Sequence, residues 1–99
     1  MKVIYEPIAE RELTDAAAYI ARRDSSIEAA EDLLTDAAAT EDLIQQFPNS
    51  APPLTKGTRR CLLSRHEYQI IYRVEGEIIR VYAFAHQKRK AGYWRKRVK

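Results

Sequence analysis

The stretch "YQIIYRVEGEIIRVYAFAH" (residues 68–86) decides the fold class predicted for this 99-residue chain. It contains two runs rich in β-branched and aromatic residues, 68–74 and 77–86, with the dipeptide Glu-Gly between them. Two such runs joined by a short turn signal predict a β-hairpin. The run "RCLLS" (residues 60–64) comes shortly before. We therefore expect three antiparallel strands in the second half of the chain.

The first half has the hydrophobic periodicity of helices. "KVIY" (residues 2–5) is a short β-prone run. Pro7 follows it and suits the first turn of a helix, where the missing N–H is not needed. Apolar residues then recur at helical spacing over residues 7–23, which places them on one face. This face consists of Ala9, Leu13, Ala16, Ala17 and Ile20.

A second helix is predicted to follow directly. Ser25 and Glu28 have the spacing of a capping box, which marks a helix start, and Pro48 marks its end. The predicted length is roughly 20 residues, or about 30 Å. The predicted apolar stripe consists of Ala30, Leu33, Leu34, Ala37, Ile44 and Phe47. The solvated side of the resulting helical hairpin is predicted to include Glu10, Asp15, Asp32 and Asp36.

The element order β-α-α-β-β-β predicts an α+β fold in which the helical hairpin packs on a mainly antiparallel sheet. One such domain accounts for residues 1–99, with a loop at residues 48–57. Because side chains alternate along strands, the sheet has two faces. One is apolar and includes Cys61. The other is predicted to form a cationic platform that carries Arg60, Gln69, Arg73, Arg80, Tyr82 and His86.

The composition argues against several classes of site. No apolar run approaches the ~20 residues that span a bilayer, and the chain starts without the apolar segment of a secretory signal. We therefore expect a cytoplasmic protein. Cys61 is the single cysteine, which excludes an internal disulfide and a cysteine-based metal cluster. The sequence has no Gly-rich phosphate loop and no zinc-ligand spacing, so we expect neither a metal nor a cofactor.

Charge is divided unevenly along the chain. Residues 1–50 carry four basic and eleven acidic side chains, a net charge of −7, whereas residues 51–99 carry thirteen basic and three acidic ones, a net charge of +10. A division of this size predicts that the second half contacts a polyanion or an acidic partner. Ordinary solubility is the alternative interpretation.

The tail "AHQKRKAGYWRKRVK" (residues 85–99) places much of this charge beside aromatic residues. Arg89 is the strongest single candidate for a functional contact, because arginine can bind a phosphate or a carboxylate through two parallel hydrogen bonds. Tyr93 and Trp94 either join the same surface or fold back over a strand residue such as Phe84. Residues 95–99 are predicted to be solvated and frayed.

The motifs "P.A..EL..A..YI", "YQIIYRV" and "AHQKRKAGYW", with a long helix ending in "FP", resemble the RelE/ParE superfamily of toxins from type II toxin–antitoxin modules. The match covers nearly the whole chain. It implies the fold predicted above, growth inhibition, and a role in plasmid stabilisation. It also implies a cognate antitoxin that wraps a disordered segment around the toxin in a hetero-oligomer. An acidic, amphipathic segment would complement the basic half of the chain.

The resemblance implies one of two functions, because the fold is shared by both branches. ParE-like members bind DNA gyrase and stabilise its damaging DNA complex. RelE-like members are endonucleases that cut messenger RNA in the ribosomal A site. Two long helices are typical of ParE-like members, so we favour the nonenzymatic, gyrase-directed function. The alternatives are a ribosome-dependent, metal-independent endoribonuclease and, outside the family, a small basic nucleic-acid-binding domain.

A RelE-like nuclease must activate a 2′-hydroxyl, stabilise a phosphorane and protonate the leaving oxygen. The resemblance places Leu62 where such enzymes have a strand lysine, and Gln69 where they have an arginine. The catalytic candidates that remain are Arg60, His86, Arg89 and Tyr93. The predicted effector or antitoxin-binding surface comprises Arg60, Arg73, Arg80, Tyr82, His86, Arg89 and Trp94.

Overall fold

The computed structural model describes residues 1–99 and has the predicted α+β architecture. The elements are β1 (Lys2–Tyr5), α1 (Pro7–Asp24), α2 (Ile27–Gln46), β2 (Arg59–Leu62), β3 (Tyr68–Glu75) and β4 (Ile78–His86), with 3₁₀ turns at Thr55–Gly57 and Arg95–Arg97. The predicted order β-α-α-β-β-β is therefore confirmed. Neither helix combines the length and the hydrophobicity that crossing a bilayer requires.

The four strands form one sheet in the order β1-β4-β3-β2. β2, β3 and β4 are an antiparallel meander, and β1 adds to β4 in the parallel direction. This arrangement confirms a mainly antiparallel sheet. The hairpin turn lies one residue later than predicted. Glu75 pairs with Ile78, and Gly76 supplies the left-handed φ of +60° that the two-residue turn requires.

The junction of the two helices also differs by one residue from the prediction. Ser25 ends α1 in the left-handed conformation, with φ of 49°. Ser26 is the residue that caps α2, and its hydroxyl accepts a hydrogen bond from the backbone N–H of Ala29. The Ser25–Glu28 capping box was therefore wrong. A run of two serines gives both the C-cap of one helix and the N-cap of the next, and sequence spacing alone does not assign them.

The helical hairpin packs on one face of the sheet as predicted. The predicted face of α1 is confirmed, because Ala9, Ala16, Ala17 and Ile20 are buried and Leu13 packs against them. In α2 the stripe is displaced. Leu33, Ala37 and Ile44 are buried, whereas Leu34 and Phe47 are exposed. Asp36 is buried on this inner face, with only 3% of its surface exposed, so its predicted place on the solvated side was wrong.

A β-bulge at Tyr82 reverses the alternation of β4. Ile71 pairs with Ala83 and the next residue of β3 pairs with Val81, which leaves Tyr82 without a partner on β3. An extra residue of this kind turns every later side chain to the other face. Phe84 and His86 therefore lie on the helix side of the sheet, and the predicted place of His86 on the cationic platform was wrong. The predicted face of Ala83 was wrong for the same reason.

The C-terminal tail is packed against the sheet. Trp94 and Val98 are buried in a second cluster with Ile71, Tyr82 and Ala83, on the face opposite the helices. Trp94 does fold back as one interpretation expected, but over these residues and not over Phe84. The Lys56 ammonium donates to the carbonyls of Arg95 and Val98. Residues 95–99 are therefore held in place, and the prediction that they are frayed was wrong.

Candidate functional site

Part of the predicted cationic platform is neutralised by a carboxylate of the same strand pair. Arg73 and Arg80 are cross-strand partners on β3 and β4. The Glu75 carboxylate accepts a hydrogen bond from each guanidinium, at 2.9 Å and 2.8 Å, and a further one from the Tyr82 hydroxyl. Arg73 also donates to the carbonyls of Lys56 and of the C-terminal residue. These side chains consequently hold the tail and the hairpin together.

The Glu75 cluster gives the fold a sensitivity to acid. Burial opposes the charge of Glu75, but the hydrogen bonds from Tyr82, Arg80 and Arg73 outweigh it and lower its pKa from 4.5 to about 2. Because the folded pKa is below the unfolded one, this stabilisation is fully present above pH 4.5 and is lost as the pH falls towards 2. We expect Glu75→Gln to lower the free energy of unfolding by about 2 kcal/mol at pH 7, allowing for solvent screening.

Urea unfolding of the wild-type chain and of Glu75→Gln between pH 2 and 7 measures this difference. The two curves should converge towards pH 2, where the wild-type carboxylate becomes protonated. A difference in the free energy of unfolding that stayed constant across this pH range would contradict the stabilising role of the Glu75 charge.

The Glu12 carboxylate of α1 anchors the tail. It accepts from both terminal nitrogens of Arg97, at 2.7 Å and 3.2 Å, and from the Tyr93 hydroxyl at 2.7 Å. It also accepts a hydrogen bond from the backbone N–H of Phe84 at 3.2 Å. This N–H belongs to the part of β4 that extends past its pairing with β1. Burial and the Glu12 hydrogen bond raise the pKa of the Tyr93 phenol. Tyr93 therefore keeps its proton, which it donates to Glu12.

The two histidines lie on the helix side, away from the platform. The His86 Nδ1 accepts the backbone N–H of Lys88 at 3.1 Å, and its ring meets Tyr68 edge-on. His66 is half-buried, and its Nδ1 lies 2.7 Å from the Asp36 carboxylate. Burial opposes the charge of Asp36, but hydrogen bonds from His66, the Arg65 N–H and Ser64 lower the Asp36 pKa overall.

Arg60, the remaining arginine of the platform, lines a cleft between β2, β3 and the tail, which we call the arginine cleft. Its volume is about 310 Å³. Its cationic side chains are Arg60, Arg89 and Arg95, and no acidic residue lines it. None of the three makes an ion pair within the chain. Arg89 lies over the Tyr93 ring, with its guanidinium carbon 4.0 Å from the ring centroid.

Gly92 determines where the third arginine of the cleft lies. Its φ of +76° belongs to the left-handed region that favours glycine. A Cβ at this position would lie 2.6 Å from the guanidinium carbon of Arg95, so the Arg95 side chain packs directly on the Gly92 backbone. Sequence analysis singled out neither residue, although a glycine within a basic run is a breaker signal that could have indicated a bend in the tail.

Gln69 lies at the base of the arginine cleft and is only 7% exposed. Its side-chain Oε1 is buried and has no hydrogen-bond partner within the chain. Buried polar groups are nearly always hydrogen-bonded, so this amide is an exception. Sequence analysis correctly placed Gln69 on the face of the sheet opposite the helices. It gave Gln69 no function, and noted only that it occupies the position of an arginine in RelE-like nucleases.

An apolar groove adjoins the arginine cleft. It has a volume of about 280 Å³ and lies between the end of α2 and the edge strand β2. Leu43, Phe47 and Leu62 line it and are largely exposed, Phe47 by 56%. Arg60 lines both the groove and the cleft. Seen together, the two form one surface with an apolar part and a cationic part.

Comparisons with known proteins agree with this architecture. The family model of the ParE toxin of type II toxin–antitoxin systems, parDE, matches residues 3–91. The chain belongs to the ParE toxin family. A chain of the solved chromosomal ParDE toxin–antitoxin system from P. aeruginosa is 20% identical, with a TM-score of 0.75, over 87% of this chain and 95% of that one. No curated protein sequence matches the chain.

Membership in the ParE toxin family fits the two long helices on which the ParE-like branch was favoured. It makes this chain the toxin component of a type II toxin–antitoxin module. The Glu12 and Glu75 clusters hold side chains of the ParE fold in fixed positions.

Proposed function

We propose that this toxin acts on DNA gyrase in the cytoplasm, where it blocks replication, and that a cognate antitoxin neutralises it. A module of this kind would stabilise a plasmid that carried it. The observation that carries the proposal, beside the family membership, is that no one pocket is lined by all four catalytic candidates. Arg60 and Arg89 line the arginine cleft, His86 lines a different pocket on the helix side together with Arg89, and the Tyr93 hydroxyl donates to Glu12.

A metal-independent nuclease requires a base and a proton donor within hydrogen-bond reach of one phosphate. His86 is directed by its contacts with Tyr68 and Lys88, away from the cleft. The Tyr93 proton is donated to Glu12, and its raised pKa disfavours the phenolate that could act as a base. Neither group supplies general acid–base catalysis beside Arg60. These positions support a toxin that acts by binding.

Neutralisation by an antitoxin is supported by the distribution of charge and of apolar surface. The excess of +10 in residues 51–99 complements an acidic partner. Exposed Phe47, Leu43 and Leu62 offer apolar contacts beside that charge. Large exposed apolar side chains that line one groove commonly mark an interaction site.

Purified toxin added to gyrase and supercoiled plasmid tests the proposal directly. We expect linear, gyrase-linked DNA to accumulate in an ATP-dependent manner, and inducible expression to cause filamentation and DNA-damage signalling while translation initially continues. Immediate translation arrest with cleavage of ribosome-bound messages would instead identify a nuclease. Steeply salt-dependent binding to bare DNA, without any effect on gyrase, would favour a general nucleic-acid-binding domain.

His86→Ala separates the two toxin mechanisms. Because His86 lies across the sheet from the arginine cleft, we expect this variant to keep growth inhibition and gyrase-dependent cleavage within about twofold of wild type. The measurement is the toxin concentration that gives half-maximal cleavage. A loss of activity of roughly a hundredfold or more, the size of a general-base contribution, would contradict the proposal.

A further inference from the structure

The arginine cleft carries positive charge that the fold leaves uncompensated. Its three guanidinium groups, those of Arg60, Arg89 and Arg95, come from β2, the segment after β4 and the C-terminal turn. None of them makes an ion pair within the chain, and like charges that line one cleft repel one another. A phosphate group would offset this repulsion, because guanidinium forks match its oxygens through paired hydrogen bonds.

The Gln69 amide adds a second, independent indication of a ligand. It lines the cleft, is only 7% exposed, and its Oε1 has no hydrogen-bond partner within the chain. A buried acceptor without a partner destabilises the fold, because it has lost its hydrogen bonds to water. The amide nitrogen beside this acceptor carries two N–H donors. A ligand that presents a donor and an acceptor side by side would therefore satisfy the amide.

The edge of an adenine base presents this pattern. Glutamine binds adenine through two hydrogen bonds, in which its oxygen accepts from the exocyclic amino group and its nitrogen donates to a ring nitrogen. The cleft also has an apolar lining that offers contact area to a flat ring. It consists of Leu54, Ile71, Ala91 and Trp94. The cleft thus combines cations for a phosphate, apolar surface for a base and an amide for the edge of that base.

The size and the surroundings of the cleft favour a single nucleotide over a strand. Its volume of about 310 Å³ lies at the lower end of the ~300–1,000 Å³ range of small-molecule sites. Single-stranded nucleic acids are held by exposed aromatic rings on which successive bases stack. Trp94 is only 5% exposed and packed in the second cluster, and Arg89 and Arg97 both lie over the Tyr93 ring. Neither ring is therefore offered to a second base.

We propose that the arginine cleft binds a free adenine nucleotide, with adenosine monophosphate as the smallest ligand that uses the whole site. The three arginines bind the phosphate, and Gln69 binds the edge of the adenine. The cleft is lined by no histidine, carboxylate or thiol, so the nucleotide is bound and not hydrolysed. This inference goes beyond the proposed function, because it concerns a small ligand of the toxin itself and holds whether or not gyrase is the target.

Trp94 allows the binding to be measured without a label. It is the only tryptophan of the chain and lines the cleft, so its fluorescence, excited at a wavelength that adenine does not absorb, reports the bound ligand. We expect adenosine monophosphate to bind the full-length toxin at least about tenfold more tightly than inorganic phosphate or adenosine, each of which makes only part of the contacts. Equal binding of inorganic phosphate and the nucleotide would overturn the inference.

Two further ligands test the size and the base preference of the site. Guanosine monophosphate should bind at least about fivefold more weakly than adenosine monophosphate, because the corresponding edge of guanine presents two acceptors and leaves the Gln69 Oε1 without a donor. Oligoadenylate should bind more weakly per nucleotide as well, since the cleft takes one base. Equal binding of the two mononucleotides would refute the contact with Gln69, and tighter binding of the oligonucleotide would assign the cleft to a strand.

The double variant Arg60→Ala/Arg89→Ala locates the phosphate contacts. We expect it to bind adenosine monophosphate at least about tenfold more weakly than wild type. The matched control is Arg11→Ala/Arg22→Ala, which removes the same charge from exposed positions of α1 and should change the affinity by less than about twofold. Similar losses in both double variants would reduce the effect to net charge and refute the cleft as the site.

Gln69→Met distinguishes an amide that binds a base from one that supports the fold. Methionine has nearly the same shape and removes the buried acceptor that has no partner. We expect the Tm of the free toxin to rise by about 4–8 °C. The affinity for adenosine monophosphate should fall about tenfold, to that of inorganic phosphate.

The two measurements on Gln69→Met have separate meanings. A lower Tm would show that the amide stabilises the fold without a ligand, and an unchanged affinity for the nucleotide would show that it does not bind the base. Either result would overturn the proposed site. Both are measured on the toxin alone, so they are independent of DNA cleavage by gyrase.

Discussion

Replacing Glu12 with alanine is expected to lower the free energy of unfolding by about 3–5 kcal/mol, the range for breaking a largely buried, hydrogen-bonded ion pair. The substitution leaves the Arg97 guanidinium, the Tyr93 hydroxyl and the Phe84 N–H without their acceptor. Arg97 and Glu12 are both mostly buried, so water replaces the lost contacts only in part. Chemical unfolding followed by circular dichroism measures the effect.

The same substitution should release the tail. Glu12 connects α1 to Tyr93 and Arg97, on either side of Trp94. We expect trypsin to cleave Glu12→Ala quickly near residues 95–97, under conditions that leave the wild-type chain intact. Glu31→Ala is the control, because Glu31 is exposed in the second turn of α2. A small change in stability, equal to that of the control, would mean that the tail is held by the second cluster alone.

The fold was predictable because its signals are local. The hairpin of β3 and β4 has two β-rich runs around a turn, and the helices have apolar faces bounded by Pro7 and Pro48. These patterns act through neighbours at short sequence separation, where spacing fixes geometry. The order of elements and the packing of the hairpin on the sheet followed from them. The predicted helix cap at Ser25 and the predicted turn at Gly76 were each displaced by one residue. At both places, two adjacent positions fit the same sequence signal.

The faces of β4 were predictable only up to Tyr82. Alternation assumes one residue per pleat, and a single unpaired residue reverses it for the rest of the strand. Nothing in the run "RVYAFAH" identifies the bulge, because tyrosine and alanine suit either face. The consequence reached the site, since His86 moved to the helix side. His86 was thereby separated from Arg60, although it lines a pocket on the helix side together with Arg89.

In the candidate site, too, the residues with local sequence signals were predictable, and those held by long-range contacts were not. Arg60 and Arg89 were predicted from strand alternation and from arginine chemistry, and both line the arginine cleft. Arg95 was missed because the last residues look solvated, although Lys56 and Glu12 hold them through contacts more than thirty residues away in sequence. The Glu75 cluster was missed because a count of charged residues does not show which of them form ion pairs in the fold. The carboxylate of Glu75 consequently offsets part of the charge of Arg73 and Arg80.

Asp36→Ala is expected to lower the free energy of unfolding by about 3 kcal/mol at pH 7. The substitution removes the acceptor for the Arg65 N–H, the Ser64 hydroxyl and the His66 imidazole, and so frees the turn between β2 and β3. The control is Asp32→Ala, one helical turn earlier, whose exposed ion pair with Arg65 should contribute at most about 1 kcal/mol.

The pH dependence of Asp36→Ala tests the physical cause. The folded pKa of Asp36 is below its usual value of 3.8 because of these hydrogen bonds, so its stabilisation is present above pH 3.8 and is lost as the pH falls through the lowered folded value. The difference between wild type and Asp36→Ala should therefore shrink in strong acid, as measured by urea unfolding at each pH. If the difference stayed constant, the loss would come from the missing volume and not from the charge. The turn beside His66 would then be held by packing and not by the three hydrogen bonds that the Asp36 carboxylate accepts.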